Sequence, residues 1–268
     1  MTCPASGGIF LEMDFDISSI LKNWNFESGP ILARRFIGTD GKEKVQLRVD
    51  LGLLQMNVNG RPDGRRFNGF ETVFDLLKAK LQDYTTAHGG DDDGFVLSPE
   101  ECAKLHQEAI QYHQRYVCLL HMEDYDRVIR DTKRNLKLFE FVDQYADSDE
   151  LAWSLNQYRP QLLLMQVRAS GELRLRSKNH AEAIKLVEQG LARIKSFFES
   201  LERPDLIDQS DEIHQLELWL EELREKRPLT EKEQLEQKMA AAVEREDYEQ
   251  AAEMRDAIRE LGKSNANH

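Results

Sequence analysis

The chain has 268 residues, 40% of them hydrophobic and 32% charged, and carries a net charge of −13. That sign disfavours a general nucleic-acid surface, which needs clustered Lys and Arg. Apolar runs stay below the ~18 residues needed to span a bilayer, and the sparse cysteines Cys3, Cys102 and Cys118 form no C-x-x-C pair, which argues for a reducing cytoplasm and against a zinc site.

Residues 1–13 lack a positive stretch ahead of an apolar one and make a poor signal peptide, so they are expected to be a disordered extension, with Met13 a plausible true start. Ser18 to Trp24 predicts a short helix with Ile17, Ile20 and Leu21 inward. An extended run at Ile31, Ala33, Arg35 and Ile37 leads to a hairpin-type turn, Thr39-Asp40-Gly41-Lys42. Val45, Leu47, Val49 and Leu51 then alternate with polar residues, the period of a half-buried strand. Leu53, Leu54, Met56 and Val58 either extend that strand or add a third.

The turn Asn59-Gly60-Arg61-Pro62-Asp63-Gly64-Arg65-Arg66 is the most basic spot in the chain. Arg61, Arg65 and Arg66 read first as a solvated hairpin tip paired with nearby carboxylates. The sharper alternative is an anion contact to phosphate, nucleic acid or an acidic protein. A helix is predicted from Phe70 to Tyr84. The following stretch, TTAHGGDDDGFVLS, has the composition of a linker. Its acidic residues fail the spacing of a calcium loop, because a glycine falls at the first ligand position.

From Ser98 onward the pattern is helical. Ser98 suits an N-cap and Pro99 a first turn. A first helix breaks near Met122-Glu123-Asp124 and a second runs from Tyr125 past Val142. A third begins near Leu151 and Trp153, where Pro160 either kinks it or opens a new helix. A fourth spans Ala181 to Leu201. A fifth, capped by Ser210-Asp211, ends at Arg227-Pro228. Gly171 and the run Asn179-His180-Ala181-Glu182-Ala183-Ile184, followed by Val187, Gly190 and Leu191, resemble a tetratricopeptide repeat. Asp124-Tyr125 to Leu136 resembles a weaker, drifted copy. Such arrays present a concave surface to a peptide or protein.

The last stretch, Leu229 to Leu261, predicts two short helices joined by a tight turn. Thr230 and Glu233 form a candidate capping box. Facing alanines would let the two backbones approach closely. The block Glu246-Asp247-Tyr248-Glu249-x-Ala251-Ala252-x-Met254-Arg255-Asp256-x-Ile258, with Leu235, Met239, Ala242 and Val243 before it, resembles the UVR motif. That motif is shared by UvrB, UvrC and some Clp ATPases and their partner proteins, where it is a helical hairpin that associates with another hairpin. The resemblance implies a protein contact that is hydrophobic at Leu235, Met239, Val243, Tyr248, Ala251, Ala252 and Ile258, with Glu249, Arg255 and Asp256 setting register. The partner would be a protein with the same motif or a second copy of this chain. The turns at Asp247-Tyr248, Asn179-His180 and Asp124-Tyr125 have one shape, so the hairpin either continues the architecture of the array or, separated from the fifth helix by Arg227-Pro228, swings free of it.

No catalytic set is present. H-E-x-x-H, G-x-S-x-G and G-x-x-x-x-G-K-[ST] are all missing. His106 and His113 read as packing residues, His121 as the end of a helix, and Cys102 and Cys118 as buried, inert thiols. The expectation is an α+β, mainly α protein: a small α/β domain at 14–88 with an antiparallel sheet, a linker at 89–98, a tetratricopeptide-like array at 99–227 and a UVR hairpin at 229–262. Its expected role is that of a non-enzymatic cytoplasmic adaptor or scaffold without cofactor or metal. The alternatives are an accessory role in UvrB/UvrC-type excision repair and a Clp-protease-associated stress role; the partners known for the latter carry C-x-x-C pairs that this chain lacks.

Overall fold

A computed structural model describes residues 16–229 and 231–265, so the expected extension 1–13, Cys3 and the cap Thr230 lie outside the described residues. The chain divides into two compact units between Leu173 and Arg174. The first opens with α1 (Ser18–Lys22) and an antiparallel meander of β1 (Ala33–Ile37), β2 (Glu43–Val49) and β3 (Gly52–Asn57), in that spatial order. Gly41, at φ +72°, closes the first hairpin. Val49 pairs directly with Gly52, so the second hairpin turns on Asp50 and Leu51 alone. Leu51, expected on the inner face of a strand, therefore stands at the tip, 89% exposed. The stretch beyond it is a third strand.

The central strand β2 is buried on both faces at Val45, Gln46, Leu47 and Arg48. Its polar face is covered from the N-terminal side. Arg34 lies 4.3 Å over the Trp24 ring, and Arg48 Nε donates to the Trp24 carbonyl at 2.8 Å.

Thr72 caps α2 (Val73–Ala87) by accepting the Asp75 N–H at 3.0 Å. Phe70, expected inside this helix, precedes it in a tight turn bridged to Phe67. Segment 89–98, expected as a linker, is anchored instead. Phe95 and Leu97 are buried, the Leu97 N–H donates to the Tyr145 carbonyl at 2.7 Å, and the Phe95 ring sits 5.3 Å from that of Tyr145. Asp91, Asp92 and Asp93 converge there, and Tyr145 donates its hydroxyl to Asp92 at 2.5 Å.

Ser98 and Glu101 form a full capping box at the start of α3 (Pro99–His121). Next come α4 (Tyr125–Tyr145), α5 (Asp149–Asn156) and α6 (Arg159–Arg176). Pro160 thus opens a new helix. Residues all around α6 are buried, including Leu162, Leu163, Leu164 and Val167, so it is a core element. The second unit holds α7 (His180–Ser200), a 3₁₀ turn at Pro204–Leu206, α8 (Asp211–Lys226), α9 (Glu231–Glu244) and α10 (Tyr248–Asn265). Helix α7 packs on α8. No helix among the described residues is long and apolar enough to cross a membrane.

The first unit is held by a buried ionic network. Arg115 on α3 is 1% exposed. It makes a bidentate pair with Asp131 of α4 at 2.7 and 2.9 Å. Its remaining Nη1 donates to the carbonyls of Asn57, the last residue of β3, and Gly60, in the loop beyond it, at 2.9 and 2.6 Å. Glu108, about two turns upstream on the same face of α3 and fully buried, accepts the Val73 and Phe74 N–H groups at the start of α2, together with Arg61 and Arg134. Removing one partner of a buried pair leaves the other charge desolvated. Asp131→Asn is therefore expected to destabilise this unit by about 3–5 kcal/mol, read as a lower urea midpoint for its transition.

Candidate functional site

Helices α9 and α10 close as a hairpin on two alanines. Ala242 is 0% and Ala251 9% exposed, and they are the deepest side chains of the pair among the described residues. The absence of bulk at these positions lets the two backbones approach, as the alanine spacing implied. The connection is three residues long. Glu246, at φ +59°, donates its N–H to Val243 O at 3.0 Å, and Asp247 donates to Ala242 O at 2.9 Å. These two bonds form a Schellman turn. Asp247 then caps α10 by accepting the Gln250 N–H at 3.1 Å.

The other two helix turns singled out in the sequence have the same backbone. Glu123 and Lys178 lie at φ +58° and +57°, each at the centre of a three-residue connection. Asn179 caps α7 through the Glu182 N–H at 3.1 Å, as Asp247 caps α10. Asp124 does not cap α4; its carboxylate takes Arg35 of β1 at 2.6 Å and Arg127 at 2.7 Å. Partial burial pushes the Asp124 carboxyl up, but the bonds from Arg127 and Arg35 outweigh that and hold it below the usual range.

The ten expected contact residues separate by depth. Ala251 is occupied inside the hairpin. Leu235, Met239, Ala252 and Ile258 are half-buried along its seam. Val243 and Tyr248 project outward, 50% and 68% exposed. Glu249, Arg255 and Asp256 are exposed, and Arg255 pairs with Asp256 at 3.0 Å.

The loop arginines separate as well. Arg61 is no part of an open tip: it is buried, its Nη1 lies 2.9 Å from Glu108, and its guanidinium covers the Phe67 ring at 4.3 Å. Its charge is already matched, so it is withdrawn as an anion contact. Arg65 and Arg66 remain exposed, and Arg66 donates to the Gly69 carbonyl at 3.1 Å.

His113 lines a small cavity of about 240 Å³ with His106, Ile110, Tyr116, Phe139 and Tyr158. Its Nδ1 lies 2.7 Å from the Tyr116 hydroxyl, and burial holds its pKa below the ordinary value. Burial also pushes the Cys118 thiol up to about 12, so it stays protonated and unreactive near neutrality. Cys102 is buried and raised in the same way.

The family model described as the UvrB/uvrC motif matches residues 230–264, the span of this hairpin. No curated protein and no solved structure is significantly similar to the chain.

Because Ala242 has no space around it, Ala242→Leu is expected to wedge α9 from α10. Hydrogen exchange should then speed up across 231–261 while the first unit stays protected. For His113 the sign is set by burial. The folded protein resists protonation, and the unfolded chain takes up a proton below about pH 6.5. The contribution is intact above that pH and declines as pH falls toward the lowered folded value. His113→Gln should flatten that part of the stability-versus-pH curve, measured by urea titration at several pH values.

Proposed function

We propose that the protein is a non-catalytic cytoplasmic adaptor whose α9–α10 hairpin docks on another protein. The observation that carries this reading is the match of the UvrB/uvrC motif to a closed hairpin whose outer residues, Val243 and Tyr248, remain uncovered. A structural hairpin serving only its own chain would turn its largest side chain inward. Here the small residues face in and the tyrosine faces out. An exposed aromatic beside a helix turn offers apolar area with a polar tip, the composition favoured at interface centres. A second hairpin of the same kind is the partner of matching chemistry, since its own Tyr and Val would pack against these.

The helical array would supply a second contact surface, and the shared turn geometry of α3–α4, α6–α7 and α9–α10 supports a tetratricopeptide-like derivation. Affinity purification from native lysate with the wild-type chain and with Tyr248→Ala/Val243→Ala tests the reading. Both substitutions lie outside the hairpin seam, so the variant should fold with unchanged helix content. Loss of a specific co-purifying protein supports the hairpin as the docking site. Undiminished capture by the variant and by a chain lacking residues 229–268 overturns it.

A further inference from the structure

The first unit carries a positive groove that the adaptor reading does not use. It has a volume of about 530 Å³ and lies among the loop at Gly60, the start of α2, and helices α3 and α4. Six cationic side chains line it, Lys78, Arg115, Arg130, Lys133, Arg134 and Lys137, against three carboxylates, Glu71, Asp75 and Asp131. This excess stands in a chain whose net charge is −13.

Helix geometry creates the excess. Arg130, Lys133, Arg134 and Lys137 follow the i, i+3, i+4, i+7 pattern, which places them on one face of α4. Seven residues of helix extend the row over roughly 10 Å. The guanidinium groups are fixed in advance. The Arg134 guanidinium carbon lies over the Tyr112 ring, 4.1 Å from its centre, with Nη1 on Asn135 at 3.0 Å and Nη2 on Glu108. Arg130 is held by Asp131, Asn59 and the Val58 carbonyl, at 2.9, 2.9 and 2.8 Å. The carboxylates Glu108 and Asp131 are fully buried and each matches one guanidinium of the row, Glu108 that of Arg134 and Asp131 that of Arg130. Lys133 and Lys137 are exposed and have no carboxylate partner among the described residues. The charge left uncompensated in the row is therefore that of these two ammonium groups, which repel one another unless an anion lies between them.

We propose that this groove binds a small ligand carrying two or more linked phosphate groups. The length of the row calls for more than one phosphate. The volume suits a molecule of nucleotide size. The acidic remainder of the chain repels a long polyanion that would extend past the groove. Arg134 and Arg130 offer fixed N–H edges, and Lys133 and Lys137 supply mobile ammonium groups that close over the ligand.

Calorimetric titration of the full chain at low salt tests this with inorganic phosphate, tripolyphosphate, ATP, an oligothymidylate and a hexaglutamate peptide. Tripolyphosphate is expected to bind about tenfold or more tightly than inorganic phosphate. A further gain for ATP would show that the base and ribose also sit in the groove, and equal affinity that the phosphates alone are held; both support the site. Lys133→Glu/Lys137→Glu should abolish binding, and Lys133→Gln/Lys137→Gln should weaken it about tenfold. Neither pair removes an internal contact, and unchanged helix content checks the fold. Lys22→Glu/Lys104→Glu makes the same change in net charge outside the groove and should bind like wild type. An equal loss in that control would reduce the effect to overall charge and overturn the proposal. So would the absence of binding at millimolar tripolyphosphate, or tighter binding of the oligothymidylate or the peptide.

Discussion

The bidentate pair between Arg115 and Asp131 is the constraint on which the first unit depends. It crosses from α3 to α4, and the arginine also holds the last carbonyl of β3 and one in the loop beyond it. Glu108 does the complementary task about two turns upstream on the same face, where it receives the N-terminal amides of α2. Those amides have no partner inside their own helix, and a carboxylate is the favourable charge at that end. Sheet, loop and three helices thus meet through two carboxylates. An apolar core of equal volume could be as stable. What the ionic version adds is direction: a guanidinium that must satisfy a carboxylate and two carbonyls at once accepts one docking of sheet on helices.

A second, exposed ion cluster repeats this tie at the far end of α3. Arg35 and Arg127 both contact Asp124 and Glu43, which joins the strands β1 and β2 to the α3–α4 turn. Such partly exposed pairs add little to stability singly. Their place explains why Asp124 gives up the capping role that its counterparts Asn179 and Asp247 keep. One turn geometry therefore recurs at three helix-to-helix connections, and the acceptor at its end is free to cap a helix or to fasten a sheet.

The helices were largely legible because their apolar spacing and caps are local signals. Ser98-Pro99, Ser210 and the turn residues near 123, 178 and 246 marked boundaries that the structure keeps. Phe70 and Leu51 misled for the same reason. Each fits the period of its neighbour, but Thr72 is the better cap and a two-residue hairpin needs position 51. Segment 89–98 has linker composition, yet Phe95 and Leu97 are drawn into an aromatic cluster by residues far away in sequence. The buried network left a trace that periodicity alone conceals. Glu108 and Arg115 fall on the same α3 stripe as Leu105, Tyr112 and Leu119, and Asp131 and Asn135 on the buried stripe of α4. Charged residues at core spacing announce a polar core, but which of them pair is decided only when the helices meet. The same holds for the basic row on α4, whose spacing was present in the sequence while the groove beside it was not.

The C-terminal hairpin inverts the logic of the first unit. There, long polar side chains join elements across distance; here, alanines join two helices by leaving nothing between them. Only two alanines are buried in the pair among the described residues, while Leu235, Met239 and Ile258 stay half-buried, and buried apolar area is what stabilises a helix pair of this size. Isolated helices of this length are marginal in water. The outermost apolar side chains, Val243 and Tyr248, would add to stability if another surface covered them. A pair of helices that is incomplete in this way gains by association what it lacks in its own core. On the proposed adaptor reading, folding and partner binding draw on the same side chains, and the outward turn of Tyr248 accompanies the inward place of Ala242 and Ala251.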